Sequence, residues 1–82
     1  MSHTVETESY KAGYETGLPG AYDKLRRARF DTEEQALRWL FDRTQRDSSL
    51  RIEIWIDRDV PGAESELILS AVRWDGRWNL DC

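Results

Sequence analysis

From Leu50 onward the chain alternates apolar and polar residues in a pattern that a β-meander satisfies and a helix does not. Leu50-Arg51-Ile52-Glu53-Ile54-Trp55-Ile56-Asp57 alternates strictly, Glu66 to Trp74 is strand-like, and Asp75-Gly76 leads directly into Arg77-Trp78-Asn79-Leu80. A period of two sends successive side chains to opposite faces of a sheet. Asp-Gly between apolar runs is a two-residue hairpin turn, and a two-residue turn fixes register. Trp74 is therefore expected opposite Arg77, Arg73 opposite Trp78, Val72 opposite Asn79, and Ala71 opposite Leu80. One face gathers Leu67, Leu69, Ala71, Trp78 and Leu80, and Leu50, Ile52, Ile54 and Ile56 join it as the expected core. The other face gathers Trp55, Ile68, Val72 and Trp74 among Arg51, Glu53 and Arg77.

The element before this meander is a helix. Thr32-Glu33-Glu34-Gln35 is a capping-box sequence, in which the Thr hydroxyl meets the Gln35 amide and the Gln side chain reaches back. Asp31, Glu33 and Glu34 crowd its start and Arg43 and Arg46 its end, as the helix dipole favours. Ala36, Leu37, Leu40 and Phe41 form the apolar stripe. Glu34, Arg38, Asp42 and Arg46 form an i,i+4 ladder of alternating charge that reads as a solvated face. Trp39 and Arg43 share the same spacing. The helix is expected over about residues 32–46.

The first thirty residues are less regular. Tyr10, Ala12 and Tyr14 share one parity, which predicts a strand from about Thr4 to Glu15, with residues 1–8 frayed at their start. Thr16-Gly17-Leu18-Pro19-Gly20 reads as a loop. Residues 21–30 fit both a helical stripe and a strand face, and the helix start that follows at once favours the strand. The expected fold is α+β, a single domain of 82 residues. One helix packs on a mostly antiparallel sheet in the order β-β-α-β-β-β.

Charge restricts function. With 12 basic and 16 acidic residues the chain carries a net −4, which disfavours non-specific nucleic-acid binding. A basic run breaks this trend: Lys24, Arg26, Arg27 and Arg29 beside Tyr22 would suit a phosphate backbone and a stacked base. On a strand, however, these cations divide between two faces. Asp57, Asp59, Glu64 and Glu66 cluster without the spacing of a calcium loop, so no metal is expected. His3 is the single histidine, and no nucleophile and base are paired. No catalytic residue and no cofactor is expected. The single cysteine, Cys82, and the lack of a long apolar stretch suit a reducing, cytoplasmic setting without membrane contact.

The function expected is therefore non-enzymatic protein binding. Trp55, Trp74, Ile68 and Val72 would anchor the partner, with Arg51 and Arg77 at the rim, since exposed tryptophan and arginine mark interaction surfaces. The same patch would also serve a homodimer. In size, acidity and missing motifs the chain resembles, as a class, small stoichiometric inhibitors and accessory proteins. Examples are phage-encoded anti-defence factors of the anti-CRISPR kind and immunity proteins. The alternative is a nucleic-acid-binding accessory using Tyr22, Lys24, Arg26, Arg27 and Arg29.

Overall fold

The structure, a computed structural model, describes residues 8–18 and 20–80. Six elements follow one another: β1 (Ser9–Leu18), β2 (Ala21–Phe30), α1 (Glu33–Gln45), β3 (Arg51–Asp59), β4 (Glu66–Trp74) and β5 (Arg77–Leu80). The strands form one five-stranded sheet in the order β2-β1-β3-β4-β5, every neighbouring pair antiparallel. This is the α+β architecture read from the sequence. His3 and Cys82 lie outside the described residues.

Local chemistry accounts for the elements. The last hairpin has the register its turn dictates, with all four pairs as expected. Asp75 and Gly76 both take positive φ, as the favoured hairpin turn requires. The capping box on α1 is complete: Thr32 Oγ1 accepts from the Gln35 amide at 3.2 Å, and Gln35 Oε1 accepts from the Thr32 amide at 3.3 Å. Residues 21–30 are a strand, as the helix start behind them implies.

The first strand departs from expectation. The expected start near Thr4 lies outside the described residues; from Ser9 the strand runs through Thr16-Gly17 to Leu18, where a loop was expected. A bulge absorbs the Gly17 signal. Thr16 pairs with Lys24 and Gly17 with Tyr22, and Gly17 sits at φ 100°. A Cβ there would lie 2.7 Å from the Ala21 carbonyl oxygen, so the glycine lets two backbones approach in a tight hairpin.

The core sits under the helix, but not where the meander alone places it. Ala12, Tyr14, Ala36, Leu40, Ile52 and Ile56 are buried together, and α1 contacts β1, β2 and β3. Ala12 and Ala36 are both fully buried, and Ala28 stands opposite Ala12 in the register. These small side chains let the helix settle close over β1. Trp39 anchors its β2 side, with ring centroids 5.6 Å from Tyr14 and 5.7 Å from Phe30. The guanidinium of Arg43 covers the Trp39 ring.

Consequently β5 and the flank of β4 beside it are left only partly covered, although Ala71 of β4 is buried and Leu69 packs against the core. A helix about 10 Å wide spans about two strands at a spacing of about 4.8 Å. Leu50, Leu67, Trp78 and Leu80, expected as core, are exposed, as are Leu37 and Phe41 from the helix stripe. The cause is strand order: β1 enters the sheet beside β3 and draws the helix away from the meander. Leu67 has a second cause. The register shifts so that Ile56 pairs with Leu69 and Asp57 with Leu67, leaving Ile68 as the extra residue.

Candidate interaction surface

Two surfaces carry apolar side chains into solvent, one on each side of the sheet. On the helix side, the stripe flank and the partly covered strands form a groove of about 660 Å³. Leu37 and Phe41 make its wall, and Leu69, Ala71, Trp78 and Leu80 its floor, with Leu40 at the junction. Phe41 is 68% exposed, Leu80 70%, Leu37 42% and Trp78 44%. Arg73 is the one charged residue in the lining among the described residues.

Arg73 is held in place from both sides. It donates to the Thr44 carbonyl at 3.0 Å, to Asp47 O at 2.5 Å and to Ser49 O at 3.4 Å. These carbonyls lie at and just beyond the C-terminal end of α1, where unsatisfied oxygens and the negative end of the dipole attract a cation. Its guanidinium also stacks on Trp78 at 5.7 Å, which fixes the indole at the groove floor. The expected register places Arg73 opposite Trp78; the latch onto the helix end was not expected. The companion pair, Arg77 and Trp74, is opposite in register but makes no such stack among the described residues.

On the outer side no described element covers the sheet. Trp55 lies opposite Gly13 of β1 and its indole rests against the Gly13 backbone, so the ring is half-buried and leans away from β4. Trp74 is 45% exposed and stands opposite Arg51 and Arg77. Trp55 and Arg51 are four residues apart on β3, so the two tryptophans are separated by about 13 Å along the strand direction. The pair Glu53 and Val72 fills the row between them. Ile68, expected on this face, packs against the core cluster instead, because the bulge at its position changes the phase of β4. The tryptophan group is thus dispersed, with Val72 the apolar residue between its ends.

Charges on this face are largely paired. Arg51 bonds Glu53 at 3.3 Å and reaches the Gly17 carbonyl at the same distance. Glu15 stands directly opposite Glu53. Burial, then the Glu53 charge and a hydrogen bond between the two carboxyls, raise the Glu15 pKa against the pull of Arg51 and Arg27. A carboxyl whose pKa is raised on folding holds its proton more tightly in the folded state. Stability is then full at low pH and falls as pH rises through the carboxylate range. Glu15→Gln should therefore stabilise the fold at pH 7 by about 0.5 kcal/mol, the scale of a like-charge cross-strand pair. Unfolding measured against pH should find that gain gone below about pH 4.

The basic run does not assemble into a patch. Lys24 bonds Asp47 at 3.2 Å on the helix side. Arg29 bonds Asp59 at 2.8 Å and the Ser9 hydroxyl on the other. Arg26 donates to the Leu25 carbonyl, and Arg27 stands opposite Gly13. Tyr22 is exposed at the hairpin end of β2. Burial pushes the Asp47 carboxyl up, but the Ser49 hydroxyl and amide and Lys24 outweigh it and hold the pKa below its ordinary value.

The acidic loop is likewise occupied with local bonds. Glu66 pairs with Arg58 at 2.6 Å, and Asp59 takes Arg29 and the Ser65 hydroxyl. Among the described residues no group of three potential metal ligands comes together. No helix among them is long and apolar enough to cross a membrane.

Sequence reasoning missed the groove. A signal for it was present in the residue count. Nine apolar residues between Leu50 and Leu80 share one expected face, against four on the helix stripe, which is more floor than one helix of that width covers. No family model, no curated protein and no solved structure matches the chain.

Proposed function

We propose that this chain is a small non-enzymatic protein-binding module. One observation carries the proposal: the single helix contacts β1, β2 and β3 and leaves Leu37, Phe41, Trp78 and Leu80 exposed around a concave apolar floor. Contiguous exposed apolar surface of this kind marks sites of protein association. Trp78, pinned by Arg73, is a rigid aromatic of the sort that dominates interface energies. The wider role is stoichiometric, that of an inhibitor or accessory factor that occludes a protein partner. Trp74, Val72, Trp55, Arg51 and Arg77 offer a second contact surface on the outer face.

The nucleic-acid alternative has less support, because Lys24 and Arg29 are spent on Asp47 and Asp59. Capture of tagged protein from host lysate at moderate salt, with and without nuclease, separates the two. The proposal expects a protein partner that survives nuclease and is lost from Phe41→Glu or from Trp74→Ser. Recovery of nucleic acid, or binding that collapses as salt rises, would contradict it.

A further inference from the structure

Resting on the protein-binding reading, we infer that the groove is filled by a second copy of this chain. The partly exposed β4–β5 halves of the two copies stack face to face about a two-fold axis. Layer thickness makes this possible. Face-to-face sheets pack about 10 Å apart, the same thickness as the helix layer that α1 already occupies over β1 to β3. The β4–β5 hairpin of one copy therefore fits beside α1 of the other, in the layer the helix leaves vacant. Leu69, Trp78 and Leu80 meet their counterparts, while Leu37 and Phe41 close over the short edge strand β5.

Charge favours this occupant. Each chain carries a net −4, so two copies need a contact free of carboxylates. The groove lining contains none among the described residues, and its single cation, Arg73, is committed to three carbonyls of its own chain. The outward face of α1 is unsuitable for burial. It carries the ion pairs Arg38–Glu34 and Arg46–Asp42, all four side chains exposed. The face-to-face arrangement keeps that ladder in water, whereas inserting the partner's helix into the groove would bury it between two sheets.

The apolar area lies at the lower end of what a specific contact needs. The exposed parts of Leu37, Phe41, Trp78 and Leu80 amount to on the order of 500 Å² per copy, at the upper range of the largest patch on a monomer. With a polar rim this approaches the roughly 800 Å² per partner of a stable interface. Both copies contribute the same patch, as a closed two-fold contact requires. The outer faces then point away from each other, so the pair presents Trp74 and Val72 on two opposite sides.

Sedimentation velocity over roughly 5 to 500 µM tests this, a range matched to a contact of this size. The wild type should pass from monomer to dimer across the series. Phe41→Glu and Leu80→Arg should each weaken dimerisation at least about tenfold, with circular dichroism and melting in dilute solution unchanged. An equimolar mixture of these two variants should regain association, because Phe41 of one copy lies against β5 of the other. A wild type that stays monomeric throughout overturns the second copy as occupant, and so does a dimer that both variants leave intact or that Trp74→Ser abolishes. Lysate capture that depends on Phe41, found beside a monomeric wild type, would keep the protein-binding reading and discard the dimer. Loss of both would discard both.

Discussion

Gly13→Ala should destabilise the domain by about 2 kcal/mol, the cost of forcing one extra carbon into a packed site. A Cβ built at Gly13 falls 2.4 Å from Trp55 Cζ2, 2.6 Å from Cε2 and 2.9 Å from Nε1. These are atoms of a rigid indole, so the ring has to swing off β1 as a unit. The backbone at Gly13 is ordinary strand, since its φ is not among the positive ones. Glycine is there to make room for a ring, not to make a turn. That distinction yields a change of sign. In a Trp55→Ala background the same Gly13→Ala substitution should stabilise by about 0.5 kcal/mol, because alanine loses less entropy than glycine in a strand. Urea unfolding of the four proteins gives the coupling directly. A loss of equal size in both backgrounds would mean that Trp55 does not sit on Gly13.

Leu40→Ala should cost about 3 kcal/mol. Leu40 is 2% exposed and is buried in one cluster with Ala12, Ala36, Ile52 and Ile56 between helix and sheet. A domain of this length is stable by roughly 4 to 12 kcal/mol. With so few fully buried large side chains, the lower part of that range applies. The substitution therefore removes a large fraction of the total, and the unfolding midpoint in urea should fall accordingly. Phe41 is the next residue on the same apolar stripe and is by far the more exposed. The contrast between the two neighbours is where the helix placement becomes measurable.

Much of this fold was legible in local chemistry. The capping box at Thr32, the Asp75-Gly76 turn and the alternation of Ile52, Ile54 and Ile56 each specify geometry within a few residues, and each was realised. The position of α1 over the sheet was not legible, because strand order is a long-range property. The pattern of Tyr10, Ala12 and Tyr14 gives their shared face but not that β1 lies between β2 and β3. Once β1 is there, the alanines at 12, 28 and 36 and the Trp39 cluster pull the helix over it, and Leu80 and Trp78 pass from core to surface.

The outer face shows the same division between local and long-range information. That Trp55 and Trp74 point the same way follows from alternation along β3 and from cross-strand register. That Trp55 leans onto Gly13, away from Trp74, depends on which strand flanks β3 on its other side. The bulge at Ile68 is a third case. A one-residue irregularity moves a side chain from one face toward the other, and nothing in Glu66-Leu67-Ile68-Leu69 announces it.

An apolar docking surface beside α1, on β5 and the flank of β4, requires that Phe41 and Leu80 contribute little to folding. Equilibrium unfolding of the double variant Phe41→Ser, Leu80→Ser in dilute solution tests it most directly. Stability is expected within about 0.5 kcal/mol of the wild type, as for surface positions. A loss of several kcal/mol, comparable to that of Leu40→Ala, would place both side chains in the core and contradict an open groove.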